Sequence, residues 1–255
     1  TRYLRETGQV KPDILAKAEL MMITGYQRQL TYRHDDGSFS AFGQQDDTGS
    51  LWLTAFVLKV FSEADGLMYV DPAVPSAAKE WIVQHQAADG AFDPVGFVCH
   101  EEMMGGVAGK PALTAFVALA LQAAGGGAAA DQAVAYLEDQ LEGLADVYTT
   151  TLVACALERS ESALKADAYA KLMALAEETD EGLRWPAGRA AVEATGYALM
   201  ALLERGDILN ARRAARWLTS RRNAYGGFST TQDTVVGLDA LCRCAEGRTS
   251  NTNVA

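Results

Sequence analysis

SLWLTAFVLKVF, Ser50 to Phe61, is apolar at almost every position, with Thr54 and Lys59 as the interruptions. A helix that is hydrophobic all round must be buried all round, so this segment is expected at the centre of the protein. The stretch before it has the opposite character. From Pro12 to Tyr32, Leu15, Ala18, Met22 and Gly25 fall at steps of three and four behind a Pro suited to a first helical position, which predicts an amphipathic helix lying outside the buried one. A polar, Gly-rich connection, HDDGSFSAFGQQDDTG (His34 to Gly49), separates the two.

The same two-beat pattern recurs along the chain. Val74, Ala78, Trp81, Ile82 and His85 mark a second outer helix, answered by PALTAFVALALQ (Pro111 to Gln122). Val134, Leu137, Leu141 and Leu144 are answered by VYTTTLVACAL (Val147 to Leu157), and Leu164, Ala168, Leu172 and Leu175 by AAVEATGYALMALL (Ala190 to Leu203). Ile208, Ala211, Ala215 and Leu218 are answered by TQDTVVGLDALC (Thr231 to Cys242). Four of the five connections carry a turn with an acid or Gly next to an aromatic: DDGSF, ADGAF, DEGLRW and YGGF. Repetition of one supersecondary unit that cannot bury its apolar face alone predicts stacked hairpins.

The unequal spacing of the equivalent residues Thr54, Thr114, Thr151, Thr195 and Thr234 favours a closed ring over an open solenoid. The expected fold is therefore all-α, an alpha/alpha toroid of the terpenoid-cyclase type, with an inner and an outer ring of helices. Such rings commonly close with six hairpins. The stub Thr1 to Glu6 is expected to be the tail of the ring's remaining helix, which begins upstream, making the chain a fragment of a longer protein. Residues 1–245 are expected to form the domain and 246–255 the exit linker to the next one.

Hydrophobic residues make up 49% and charged residues 22%, the composition of a chain with a substantial core. A net charge of −11 argues against nucleic-acid binding or attraction to anionic lipid. No apolar run is long enough for membrane insertion. The four cysteines, Cys99, Cys155, Cys242 and Cys244, give no zinc pattern.

The stretch richest in reactive side chains is Phe97-Val98-Cys99-His100-Glu101-Glu102-Met103-Met104-Gly105-Gly106, within a connection (Gln86 to Lys110) longer than two helices need. A neighbouring carboxylate can raise the pKa of His100 or fix its tautomer. A Cys99-His100 dyad is disfavoured because adjacent residues rarely meet in catalytic geometry. His34 and His85 read as structural or solvated, and Asp46-Asp47 as a solvated acidic loop without a third carboxylate at helical spacing. No cofactor and no metal is expected. Trp52, Trp81, Trp185, Trp217, Phe39, Phe92 and Phe228 recur with the repeats and read as packing anchors.

The strings TGYQRQLTYRHDDGSFSAFG, SLWLTAFVLKVF, VCHEEMMGG, PALTAFVALALQ, VEATGYALMALL and RNAYGGFSTTQDTVVGLDAL, in this order, resemble the thioester-containing domain of the alpha-2-macroglobulin and complement superfamily. The resemblance covers nearly the whole chain. It implies a domain of a large secreted or cell-surface protein, an opsonin or protease trap, whose Cys and Gln form a thioester inside a Gly-Cys-Gly-Glu-Gln segment. That segment is not in this chain and is expected a little upstream of Thr1.

His100 matches the position where hydroxyl-preferring members carry His and amine-preferring ones tend to carry Asn, and Glu102 matches the acid of the same motif. Cys99 departs from the aliphatic residue of many relatives. The implied partners are other domains of the parent chain, target hydroxyls or a captured protease, and a protein receptor, with single-turnover transfer rather than enzymatic turnover. Two further readings compete: a non-reactive recognition module using its acidic surface, and a toroid enzyme such as a terpenoid cyclase or prenyltransferase.

Overall fold

The structure is a computed structural model that describes residues 11–98, 107 and 109–252, with side chains through Glu246. The stub Thr1 to Glu6 and the residues Cys99, His100 and Glu102 lie outside the described residues. Ten α-helices are present among those described: α1 (Pro12–Leu30), α2 (Leu51–Ala64), α3 (Ala73–Gln84), α4 (Gly109–Ala123), α5 (Ala128–Gln140), α6 (Val147–Arg159), α7 (Lys165–Ala174), α8 (Ala191–Arg205), α9 (Ile208–Ser220) and α10 (Thr231–Thr252). A small hairpin, β1 (Glu177–Thr179) with β2 (Gly182–Arg184), lies between α7 and α8 and pairs Glu178 with Leu183.

The alternation of outer and inner helices is the expected one. The inner series α2, α4, α6, α8 and α10 pack each on the next, and α3, α5, α7 and α9 each lean on the inner helices beside them. This is an alpha/alpha toroid, with five outer–inner pairs among the described residues. In α4 every residue from Ala112 to Leu121 is buried, and in α6 every residue from Tyr148 to Glu158. Their lack of a polar face is satisfied only by neighbours on all sides. The anchors Trp52, Trp81, Trp185, Trp217, Phe39, Phe92 and Phe228 are all buried.

Helix ends follow local chemistry. Asp146 accepts from the Thr149 backbone N–H at 2.7 Å to start α6, and Asp207 accepts from the Asn210 N–H at 3.2 Å to start α9, satisfying donors that the helix leaves open. Gly206 ends α8 in the left-handed region at φ 81°, where a Cβ is disfavoured. Between α8 and α10 the backbones come close because residue 196 is Gly. A Cβ there would stand 2.9 Å from the Val236 side chain.

The outer helix α1 differs from the rest. Leu15, Ala18 and Met22 form the half-buried stripe that the spacing predicts, while Gly25 is exposed and α1 has no fully buried residue. Leu20 and Met21 are each 63% exposed. Helix α10 runs on through Thr252, beyond the expected domain boundary at 245.

Candidate functional site

Four of the five outer-to-inner connections are fastened by one repeated hydrogen bond. The backbone N–H of the turn aromatic donates to the Oγ1 of a Thr in the following inner helix: Phe39 to Thr54 at 3.0 Å, Phe92 to Thr114 at 3.0 Å, Trp185 to Thr195 at 3.1 Å and Phe228 to Thr234 at 3.0 Å. Each turn thus delivers a buried ring and pairs a backbone donor that would otherwise be stranded. The third hairpin lacks the aromatic turn, and its Thr151 hydroxyl donates to the Tyr148 carbonyl of its own helix at 2.7 Å. All five connections meet the inner helices at their N-terminal ends, which places the turns on one end of the ring.

The connection carrying the Cys-His-Glu string belongs to this end. Its described flanks are pinned on both sides. The Leu51 N–H donates to the Val95 carbonyl at 2.9 Å at the start of α2, and Val107 is buried two residues before α4 begins. Lys110 pairs with Asp93 at 3.2 Å and Asp89 at 3.8 Å, tying the first turn of α4 back to the same connection. Phe97 and Val98 line a pocket of about 270 Å³ with Gln29, Tyr32, Phe42 and Trp52. The Trp52 ring stacks with those of Phe56 and Phe116, with centroids at 5.6 and 5.8 Å. Phe42 and Phe97, at 50% and 58% exposure, leave the rim of this pocket apolar and open to water.

Next to these turns lies a buried polar cluster that holds no cation among the described residues. Glu193 in the first turn of α8 accepts from the Tyr148 hydroxyl at 3.0 Å, and Asp233 in the first turn of α10 is close enough to act on it electrostatically. Burial, with Asp233 as a smaller contributor, pushes the Glu193 carboxyl up to about 8 despite the Tyr148 hydrogen bond, so near neutrality it carries a proton. Asp233 accepts from Ser229 Oγ at 3.0 Å through Oδ2, while its Oδ1 is buried with no hydrogen-bond partner. Sequence reading passed over this cluster. Its signal was Glu193, the one carboxylate of VEATGYALMALL, and Asp233, the first of the two in TQDTVVGLDAL.

A second set of polar groups was also missed. Lys59 of α2, almost fully buried, lies 3.4 Å from Asp239 and 3.6 Å from Glu63, while Arg243 of α10 reaches Glu63 at 2.8 Å and Asp239 at 3.0 Å. Burial alone would raise the Asp239 carboxyl, but Lys59 and Arg243 outweigh it and hold it below the usual carboxylate range. The quartet joins the first and last described inner helices. Its sequence signal was Lys59 itself, a lone cation in an apolar helix.

The remaining candidates are structural. His34 shares a hydrogen bond with Ser40 Oγ at 2.7 Å, and His85 one with the Trp81 carbonyl at 2.8 Å while its ring lies 4.0 Å from that of Trp81. Asp46 accepts from the Phe42 N–H at 2.9 Å. Burial pushes the Cys155 thiol up to about 12, which removes it as a nucleophile at neutral pH. Among the described residues no group of three or more His, Cys, Asp and Glu is placed to hold a metal ion, and no helix is long and apolar enough to cross a membrane.

The chain is 34% identical over 264 residues to ovostatin from Gallus gallus, a match that takes in 94% of this chain and 18% of that relative. The profile of the A-macroglobulin TED domain matches residues 1–243, a span that includes every helix described above except the end of α10 beyond Arg243. With the toroid, its repeated turns and this match in hand, the chain belongs to the A-macroglobulin TED domain family.

Proposed function

We propose that this domain selects the acceptor in a covalent acyl transfer carried out by a larger secreted protein, an opsonin or protease trap, and that His100 directs the transfer to hydroxyl groups. The observation that carries the proposal is the family match over residues 1–243, which takes in His100 and the rest of the VCHEEMMGG string. It is supported by the described flanks of that string, which are held at the N-terminal ends of the adjacent inner helices α2 and α4.

The proposed chemistry needs an acyl donor, the thioester between a Cys and a Gln side chain in a segment upstream of Thr1. The imidazole of His100 attacks the thioester carbonyl, the C–S bond breaks, and the Cys leaves as thiolate. That thiolate takes the proton of an incoming hydroxyl, whose oxygen attacks the acyl-imidazole and expels the imidazole. The balance is thioester plus alcohol giving ester plus thiol, once per molecule. Glu102 would hold the imidazole in the tautomer whose free nitrogen attacks. Asn at position 100 can do neither step, which leaves direct attack by amines.

In this reading residues 1–245 form the acceptor-selecting domain and 246–255 lead to the next domain. Its partners are the other domains of the parent, target hydroxyls or a trapped protease, and an extracellular receptor.

The test uses the full-length protein. Methylamine treatment should release one titratable thiol, and proteolytic activation in the presence of labelled glycerol should leave the label covalently attached. No released thiol and no attached label would contradict the proposal and leave a recognition module without covalent chemistry.

A further inference from the structure

The chain has a net charge of −11, yet residues 208–225 hold Arg212, Arg213, Arg216, Arg221 and Arg222 and no Asp or Glu. Helix α9 buries Ala211, Ala214, Ala215, Trp217 and Leu218 and so turns these arginines outward. Two of them are compensated: Arg213 by Glu178, and Arg221 by Glu181 at 3.3 Å. The other three are not. Arg216 is held by the carbonyls of Glu181 at 2.8 Å and Asp180 at 3.2 Å, and Arg222 by the Gly226 carbonyl at 2.9 Å. A carbonyl orients a guanidinium without neutralising it. Arg212 is exposed and makes no hydrogen bond or ion pair among the described residues.

These three cations border one groove, of about 690 Å³, between α9 and α10. Arg212 and Arg216, four residues apart, stand one turn apart on the same helix face. The groove between them and α10 is floored by Ala215, Leu241, Cys244 and Ala245. The hydroxyls of Thr219 and Ser220 already donate to the Ala215 and Trp217 carbonyls at 2.7 and 2.8 Å, so the outward-facing donors are the guanidinium forks. Such forks match a carboxylate with two parallel hydrogen bonds.

We propose that this groove docks an acidic peptide segment of a partner protein, in which carboxylate side chains alternate with apolar ones. The carboxylates meet Arg212, Arg216 and Arg222 while the apolar side chains cover Leu241 and its neighbours. A sulfated polysaccharide offers sulfates to the rim but nothing to the apolar floor, and a long polyanion is repelled by the acidic remainder of the surface. The inference stands apart from the acyl-transfer chemistry.

Fluorescence anisotropy on the 255-residue chain, with a labelled decapeptide of alternating Glu and Leu, tests it. Saturable binding is expected, weakening roughly tenfold between about 50 and about 300 mM NaCl, as screened charge pairs require. Arg212→Glu should weaken it by roughly tenfold or more, the loss of one charge-assisted hydrogen-bonded pair. Because Arg212 is exposed, the melting temperature of this variant should match that of the parent; Arg212→Ala, which should also weaken binding, serves if it does not. A Glu/Ser decapeptide should bind more weakly than the Glu/Leu one. Peptide binding unchanged by either Arg212 variant, equal binding of the Glu/Ser decapeptide, stronger binding of a heparin fragment, or no binding at all would each overturn the proposal.

Discussion

The inner ring is joined by different forces on its two sides. Where α6, α8 and α10 meet, the contact is mainly steric, apart from the Tyr148–Glu193 hydrogen bond: Tyr148 and Tyr197 pack edge to face at 6.2 Å, and Gly196 lets α8 approach Val236. Where α10 meets α2, it is ionic, through Lys59, Glu63, Asp239 and Arg243. The ionic seam also borders an apolar groove of about 480 Å³ between α1, α2 and α10. The difference is one of tolerance. Packed apolar surface loses stability in proportion to what is removed, whereas a buried ion set is balanced only when complete.

Breaking the ionic seam should have the largest effect. Asp239→Ala leaves the two cations Lys59 and Arg243 to share the single carboxylate of Glu63 and is expected to cost about 3–5 kcal/mol in denaturant unfolding. Replacing all four charges by apolar residues of similar size should be roughly neutral or stabilising. A larger loss from the fourfold replacement than from Asp239→Ala would show that the charges stabilise the ring beyond one another.

The other side is sharpened by Glu193, which among the described residues meets a phenol and another carboxylate in place of a cation. Its carboxyl rises from 4.5 to about 8 on folding, so between these values the native state binds more protons than the unfolded one. Stability should therefore be highest below pH 4.5 as far as this group is concerned, and should fall as pH rises through that window, by on the order of 5 kcal/mol at most. Glu193→Gln, which can still accept from Tyr148, should remove this slope and be the more stable protein at about pH 9. An unchanged pH profile would assign the slope elsewhere.

The smallest effects concern the turns. Thr54→Val strands the buried Phe39 N–H and should cost about 1–3 kcal/mol, while Thr151→Val, which loses only a bond to its own helix, should cost less than about 1 kcal/mol. Equal losses in thermal melts would show that the turn hydrogen bonds do not fasten the hairpins.

The inner helices were legible because their apolar runs are long and their turns are marked by Gly and an aromatic. The observed bounds of α2, α4, α6 and α8 fall within a few residues of the predicted ones. The recurrence of Thr54, Thr114, Thr195 and Thr234 was visible as well, but the bond that these four share was not, because the partner lies 15, 22, 10 or 6 residues away; in the third hairpin it is Thr150, not the expected Thr151, that bonds the carbonyl four residues back, as Thr54 and Thr234 do. Local periodicity carries no information about a bond of variable span. The Glu63–Arg243 contact joins residues 180 apart, which no local pattern records. The β1–β2 hairpin around DEGLRW was read only as a turn, since three-residue strands leave no alternation to detect. Of the candidate site, the reactive string was singled out by its side chains alone, and Cys99, His100 and Glu102 lie outside the described residues. The Glu193 cluster was missed because one carboxylate in an apolar helix resembles a tolerated defect.

Acceptor choice is the most direct test of what the domain does. In the full-length protein, activated in equal labelled glycerol and labelled methylamine, the ratio of ester to amide formed should favour glycerol, and His100→Asn should reverse it by roughly tenfold or more, within the range that a nucleophilic or acid–base group supplies. An ester-to-amide ratio unchanged by His100→Asn would contradict the assignment of His100 as the residue that directs transfer to hydroxyls.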